Sequence, residues 1–172
     1  MHNTNDSRPM GKGMLIIFWI LVLAVLTWGF GGLEERKNNP NANPDSTTTS
    51  AYREVILDSN RRNHYVATGL INQAKVTFLL DTGATDVVIP ENLANKLKLQ
   101  KGTSHIAATA NGNVRVYSTT IDRLQLGTIE LYNVRASINP GMRGNEALLG
   151  MSALSAVEFR QINSQLILRQ HN

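Results

Sequence analysis

The chain has 172 residues, of which 42% are hydrophobic and 17% charged, and its formal net charge is +4. This length corresponds to about one domain. The basic residues form no stripe interleaved with aromatic residues, which argues against a nucleic-acid partner. Cysteine is absent, which excludes disulfides and thiolate metal sites. The four histidines, His2, His64, His105 and His171, lack metal-ligand spacing, so we expect neither a metal nor another cofactor.

The first distinctive segment, residues 14–30, reads MLIIFWILVLAVLTWGF and contains no charge. At ~1.5 Å per residue it reaches ~26 Å as a helix, and Gly31-Gly32-Leu33 would bring it close to the thickness of a bilayer core. A buried core helix would show a polar face. A cleaved signal peptide would have a shorter apolar region and an exit of the Ala-x-Ala type. The segment therefore predicts a single transmembrane anchor at residues 14–33.

Positive residues stand on both sides of this segment, Arg8 and Lys12 before it and Arg36 and Lys37 after it. The simplest interpretation makes residues 1–13 a cytoplasmic tail. The C-terminal domain would then lie outside the cytoplasm, in the periplasm of a bacterium, with the anchor in the inner membrane.

Residues 34–50 read EERKNNPNANPDSTTTS, which is polar and contains two prolines. Such a composition offers little to bury and predicts a flexible stalk. The folded domain is therefore expected at residues 51–172.

Short alternating or apolar runs separated by turns dominate this domain, which predicts an all-β fold, a small closed barrel-like sheet. One short amphipathic helix is expected at Glu91–Leu99 and a helical turn at residues 151–156. Asn111-Gly112, between two alternating runs, predicts a hairpin. The predicted strands are residues 55–57, 64–70, 74–80, 85–89, 104–110, 114–119, 121–126, 129–138, 147–149, 157–162 and 165–168.

Asp81 follows three apolar residues, Phe78-Leu79-Leu80, and another apolar run begins at Val87. Removing a carboxylate from water is costly, so an acid at the end of a core strand is typical of a residue kept for chemistry. The alternative is that Asp-Thr-Gly is an ordinary turn tripeptide.

A second apolar run, Ala147-Leu148-Leu149-Gly150, precedes the short helix and a final hairpin. The order of Asp-Thr-Gly-Ala, Asn-Gly hairpin, apolar-apolar-Gly and helix resembles the retroviral-type aspartic proteases, or retropepsins, over residues 51–172. The segments Thr109–Gly112 and Leu148–Ser152 are similar to the bacterial membrane-anchored branch. Two departures are a flap tip with one glycine and the order Thr85-Asp86 after Ala84.

The resemblance implies a role for each motif residue. Asp81 would be the catalytic carboxylate, Thr82 would brace the pair of active-site turns, and Gly83 would admit the substrate backbone. Ala84 would line the site. Leu148, Leu149 and Gly150 would support the active-site turn, and the flap would comprise Ala110, Asn111, Gly112 and Asn113.

The same resemblance implies a homodimer acting on a peptide or protein substrate. The reaction needs two carboxylates facing one water, and two like charges so close share one proton. The chain has one Asp-Thr-Gly. Asp86 and Asp122 lack the turn that follows a catalytic acid, so we interpret them as solvated surface acids. The second Asp81 must then come from another copy.

Two other functions are compatible with parts of the sequence. A non-catalytic binding module of the same fold, tethered to the membrane, fits the glycine-poor flap. A serine hydrolase would need a Gly-x-Ser-x-Gly turn, and the sequence has none.

Overall fold

The structure is a computed structural model that describes residues 11–109 and 112–171, without the side chains of residue 12 and residues 30–36. Most of the predicted cytoplasmic tail, residues 1–10, therefore lies outside the described residues. The chain divides into two compact units, with the boundary between Lys37 and Asn38.

The described part of the first unit is helix α1, which spans Gly11–Asn38 and so ends one residue past the boundary. Most of its large apolar side chains from Met14 to Trp28 are exposed. Among the described residues, no helix is both long and apolar enough to cross a membrane. The anchor predicted at residues 14–33, whose last four side chains are outside the described set, stays a prediction.

The second unit is built almost entirely of strands, as the sequence predicts. Its two short helices are α2, Glu91–Lys96, and α3, Met151–Leu154. The strands are β1 Asp45–Thr48, β2 Tyr52–Asp58, β3 Val66–Ile71, β4 Ala74–Leu80, β5 Val87–Pro90, β6 Ser104–Thr109, β7 Gly112–Leu126, β8 Ile129–Asn139, β9 Glu146–Leu149, β10 Glu158–Ile162 and β11 Gln165–His171. The expected strands at 114–119 and 121–126 are one continuous strand, β7, since no turn residue separates them.

Two sheets make up this unit. The smaller has the order β1-β2-β11-β10, and the larger has the order β3-β4-β9-β5-β8-β7-β6. A further pairing of β3 with β7 closes the larger sheet into a ring, which confirms the predicted barrel-like closure. The hairpin between β3 and β4 turns at Asn72-Gln73, and both residues have positive φ, as a tight two-residue hairpin requires.

The flexible stalk predicted at residues 34–50 is wrong over most of its length. Helix α1 continues to Asn38, and β1 pairs along its length with β2. Asn41 is only 4% exposed. Its Nδ2 donates to the carbonyl oxygens of Asp58 (2.9 Å) and Val66 (2.7 Å), and its Oδ1 accepts from the Asp58 N–H (2.8 Å).

The polar composition of residues 34–50 predicts a flexible segment, but this segment is attached to the fold through polar groups. A side-chain amide and a backbone ladder can fix a chain without burying apolar surface. The folded unit therefore begins near Asn38 rather than at residue 51.

The core lies inside the closed sheet. Phe78, Ile71, Ile89, Ile121 and Ile138 are fully buried there. Along β4 the side chains alternate, so Val76 and Phe78 point into the core while Thr77 and Leu79 are half-buried on the other face. Thr77 and Leu79 therefore lie on one face of the sheet, and Asp81 follows directly after the last residue of β4.

Candidate active site

Asp81 lies where β4 ends, in a turn that carries the chain over β9 to β5. Strand β9 runs parallel to β4, with Leu79 opposite Leu148, and touches β5 on its other side at Val88. The Asp81 N–H donates to the Leu149 carbonyl oxygen at 3.1 Å. The catalytic candidate is therefore attached by its backbone to the apolar-apolar-Gly strand.

The turn itself orients the Asp81 carboxylate. Its Oδ1 accepts a hydrogen bond from the Gly83 N–H at 2.9 Å, and the Ala84 N–H closes the turn onto the Asp81 carbonyl oxygen at 3.2 Å. The side chain is half-buried. Within the described part of the chain, Oδ2 has no hydrogen-bond partner, so this oxygen is open to a water or a second carboxyl group.

Thr82 and Gly83 are both exposed at the tip of the turn. A Cβ on residue 83 would lie 3.2 Å from Asp81 Oδ1, which is a tight contact with the oxygen that Gly83 itself binds. Ala84 is half-buried, and its carbonyl oxygen accepts from the Met151 N–H at 2.8 Å. Glycine at position 83 thus leaves the carboxylate unobstructed.

Gly150 lies directly against the other end of the turn. A Cβ at this position would be 2.1 Å from the Asp86 carbonyl oxygen and 2.6 Å from that of Ala84. No side chain fits there without moving backbone. Together with Leu149, Gly150 is thus in contact with the turn that holds Asp81, in the place predicted for a supporting residue.

The interpretation of Asp86 as a solvated surface acid is wrong, whereas Asp122 is exposed as expected. Asp86 Oδ1 accepts from Arg135 Nε at 2.7 Å, and Oδ2 accepts from Ser137 Oγ at 3.0 Å. Only 17% of the Asp86 side chain is exposed. Both partners come from β8, about fifty residues later, so the local sequence could not reveal this pairing.

A cleft of about 390 Å³ opens on the Leu79 face of β4. Leu79, Leu148 and Met142 give it an apolar floor, and Arg143 and Glu146 stand at its exposed edge. Leu148 is thus a lining residue as well as a strand partner. Met142 and Arg143 lie on the irregular loop between β8 and β9, where no local sequence pattern marks either residue as part of a site.

The predicted flap corresponds to the hairpin of β6 and β7. Thr109 pairs with Gly112, and Thr109 Oγ1 donates to the Gly112 carbonyl oxygen at 2.7 Å. Gly112 has φ +104°, a conformation that favours glycine. Asn113 is exposed, while Ala110 and Asn111 lie outside the described residues.

In the described ranges, no three histidine, aspartate or glutamate side chains are grouped closely enough to hold a metal ion.

Comparison with known families matches residues 67–156, more than half of the chain, to the family described as "gag-polyprotein putative aspartyl protease". The chain belongs to this family. The matched range contains Asp81, the flap hairpin and Gly150, so the aspartyl protease family assignment covers every motif of the candidate site.

The curated relatives of this aspartyl protease family member are themselves uncharacterized. One, from the cobV 5′ region of a Sinorhizobium species, is 25% identical over 90% of this chain and 72% of its own length. Another, from Rickettsia prowazekii strain Madrid E, is 28% identical over 67% of this chain, which spans half of that protein.

One solved structure is similar to this chain in fold. The crystal structure of a retropepsin-like aspartic protease from Rickettsia conorii is similar with a TM-score of 0.57 and 26% identity, over 75% of this chain and 96% of that one. The folded unit of this aspartyl protease family member is therefore retropepsin-like, mostly β with few helices.

The contacts of Gly150 predict the effect of a single methyl group. In Gly150→Ala, the Cβ has no space beside the Asp86 and Ala84 carbonyl oxygens, so the turn and β9 must separate. We expect a loss of about 2 kcal/mol or more in the free energy of unfolding, as for other overpacked sites. Urea denaturation of the full chain measures it. Gly141→Ala is the control, because its nearest contact would be 3.3 Å away at a side-chain oxygen, and an equal loss in both variants would contradict the steric argument.

Proposed function

We propose that this chain is a homodimeric aspartic endopeptidase in which two Asp81 carboxyl groups activate one water. The observation that carries the proposal is the Asp81 turn. It presents one carboxylate oxygen bonded to the Gly83 N–H and the other open, on the side of the sheet that holds the apolar cleft.

The proposed reaction follows from this arrangement. One Asp81 is ionised and takes a proton from the water, whose oxygen attacks the carbonyl carbon of the scissile peptide bond. The Asp81 of the second copy is protonated and donates its proton to the carbonyl oxygen. The first Asp81 then gives its new proton to the nitrogen of the tetrahedral diol, one diol hydroxyl returns a proton to the second Asp81, and the C–N bond breaks. The products are one carboxylic acid and one amine, and the two acids are back in their starting protonation states. Two such acids share one proton because both cannot be charged at close range.

The second copy is required because each chain has one Asp-Thr-Gly. Thr82 is exposed at the tip of the turn, and we propose that it braces the partner's turn, as the family resemblance implies. The substrate is proposed to be a peptide or protein segment with an apolar side chain, since Leu79, which precedes Asp81 by two residues, lines a cleft together with Leu148 and Met142.

Peptide hydrolysis provides the first test. In full-length Asp81→Asn, the base that takes the proton is lost, so we expect cleavage of a mixed peptide library to fall by at least about 100-fold. Asp122→Asn, which changes an exposed acid far along the chain, should cleave like the unchanged protein.

Equal cleavage by the Asp81→Asn variant and the unchanged protein would remove the proposal. The unchanged protein should also show a bell-shaped dependence of rate on pH, because one acid must be ionised and the other protonated. The alternative function, a non-catalytic binding module with this fold, is favoured if both proteins capture the same peptides and neither cleaves them.

Strand β10 supports self-association. It is the edge strand of the smaller sheet, and all five of its residues are exposed, including Phe159 and Ile162. Phe159 lies opposite Leu168 of β11, which in turn lies opposite Val55 of β2. These three apolar residues form a row across the sheet that ends at β10. An exposed edge strand presents unpaired backbone groups that can pair with another strand, provided that its charged residues find opposite charges on that strand.

The charges of β10 select a register for such pairing. If Phe159 lies opposite Phe159 of a second antiparallel copy, then Glu158 lies opposite Arg160 of that copy, and the same pair recurs by symmetry. A register centred on Arg160 would instead place two arginines opposite each other, which is unfavourable. We therefore include a β10–β10 contact centred on Phe159 in the proposed homodimer.

Reversing one charge at a time tests this interface. Glu158→Arg, or Arg160→Glu, converts two attractive cross-strand pairs into repulsive ones, so the dimer Kd should rise about tenfold or more. The double variant with both changes should recover the affinity of the unchanged chain. Sedimentation of the full chain measures Kd. If the single variants dimerise normally, this interface is wrong even where Asp81-dependent cleavage persists.

A membrane location of the helical unit is the remaining part of the proposal. It is supported by the uncharged sequence of residues 14–30 and by the exposed apolar side chains of α1. The catalytic domain would lie on the periplasmic or extracellular side. Confinement to a membrane raises the effective concentration of a partner copy and so favours pairing.

Cell fractionation tests the membrane location. The full chain should remain with membranes after alkaline extraction, and Leu21→Arg should reduce this retention, because a charge at mid-bilayer costs ~3 kcal/mol. A C-terminal alkaline phosphatase fusion, active only outside the cytoplasm, reports the orientation. Release of the unchanged protein into the soluble fraction would contradict the anchor.

A further inference from the structure

The hydroxyl group of Ser152 joins three separate segments of the chain. Ser152 is the second residue of α3, and its backbone N–H donates to the Thr85 carbonyl oxygen at 2.9 Å. Its Oγ accepts from the Val87 N–H at 3.0 Å and donates to the Arg135 carbonyl oxygen at 2.7 Å. The side chain thus connects the start of β5 with strand β8, and the backbone N–H of the same residue holds the end of the Asp81 turn.

The backbone of α3 is attached to the same turn. The first N–H groups of any helix have no partner within it. Here those of Met151 and Ser152 donate to the carbonyl oxygens of Ala84 and Thr85, at 2.8 and 2.9 Å. The turn therefore uses the open end of the helix, and the Ser152 hydroxyl extends this attachment past Thr85 to the Val87 N–H.

The Asp86 carboxylate holds the turn from a second side. It binds Arg135 Nε and Ser137 Oγ, both on β8. Because 68% of the Arg135 side chain is exposed, water screens this ion pair and limits its contribution. The Ser152 hydroxyl is half-buried, and its bond with the Val87 N–H is part-buried, so its loss leaves that donor without its partner, whereas its bond to the Arg135 carbonyl oxygen is exposed.

We propose that Ser152 is a positioning residue for Asp81, an inference that rests on the proposed protease function. None of the hydrogen bonds that Ser152 makes involves Asp81. It fixes residues 85 and 87, and the short turn transmits that constraint to the Gly83 N–H that orients the Asp81 carboxylate. A displacement of about 1 Å at a reacting group can cost about 100-fold in rate.

Three full-length variants separate positioning from stability. Ser152→Ala removes the hydroxyl, Ser152→Thr keeps it, and Ser155→Ala removes an exposed hydroxyl from the end of the same helix. With a peptide that the unchanged protein cleaves, Ser152→Ala should lower kcat by about 10- to 100-fold with little change in KM. Ser152→Thr should retain most of kcat, and Ser155→Ala should behave like the unchanged protein.

Hydrogen exchange of the backbone amides supplies a readout that does not need cleavage. Ser152→Ala should speed exchange at Gly83, Ala84 and Val87, while Ser155→Ala and Ser152→Thr should not. Unchanged exchange in that turn, or an unchanged kcat, would overturn the positioning role. If the unchanged protein cleaves nothing, the proposed function fails, and faster exchange in Ser152→Ala would still show that Ser152 positions the turn.

Discussion

The structure depends on the close approach of Gly150 to the turn that carries Asp81. Strand β9 lies between β4 and β5, so the chain leaving β9 must pass directly beneath the loop that joins those strands. The Asp86 carbonyl oxygen would be 2.1 Å from any Cβ at position 150. Because glycine permits this contact, the N-terminal end of α3 reaches the turn, and the hydrogen bonds from Met151 and Ser152 become possible.

This arrangement explains how a carboxylate can lie at the end of a core strand. The apolar residues of β4 and β9 fix the backbone at Asp81, while its side chain stays half-buried and keeps one oxygen bonded to the Gly83 N–H. A fully buried single acid would be costly, and a fully exposed one would lack orientation. The position therefore suits the proposed pairing with the Asp81 of a second copy, since within the described residues Oδ2 has no hydrogen-bond partner.

Much of the fold was predictable because its signals are local. Asn72-Gln73 and Asn111-Gly112 mark their hairpins, and Phe78-Leu79-Leu80 before Asp81 marks the candidate site. The errors involve contacts between distant segments. Asn41 belongs to the folded unit through hydrogen bonds to Asp58 and Val66, and Asp86 binds side chains of β8; neither polar residue has a local pattern that indicates its partner.

The contacts of Ser152 with distant segments likewise could not be predicted from local sequence, and they bear on the proposed function. Its place after Leu149-Gly150 is visible in the sequence, but its value comes from the Val87 N–H and the Arg135 carbonyl oxygen, which the fold brings together. The nearby ion pair of Asp86 with Arg135 involves full charges, yet solvent weakens it at an exposed guanidinium. A neutral hydroxyl that satisfies two backbone groups constrains the turn through geometry, with no dependence on salt. For the proposed chemistry, which requires two carboxylates at a fixed separation, such geometric constraint is more useful than added charge.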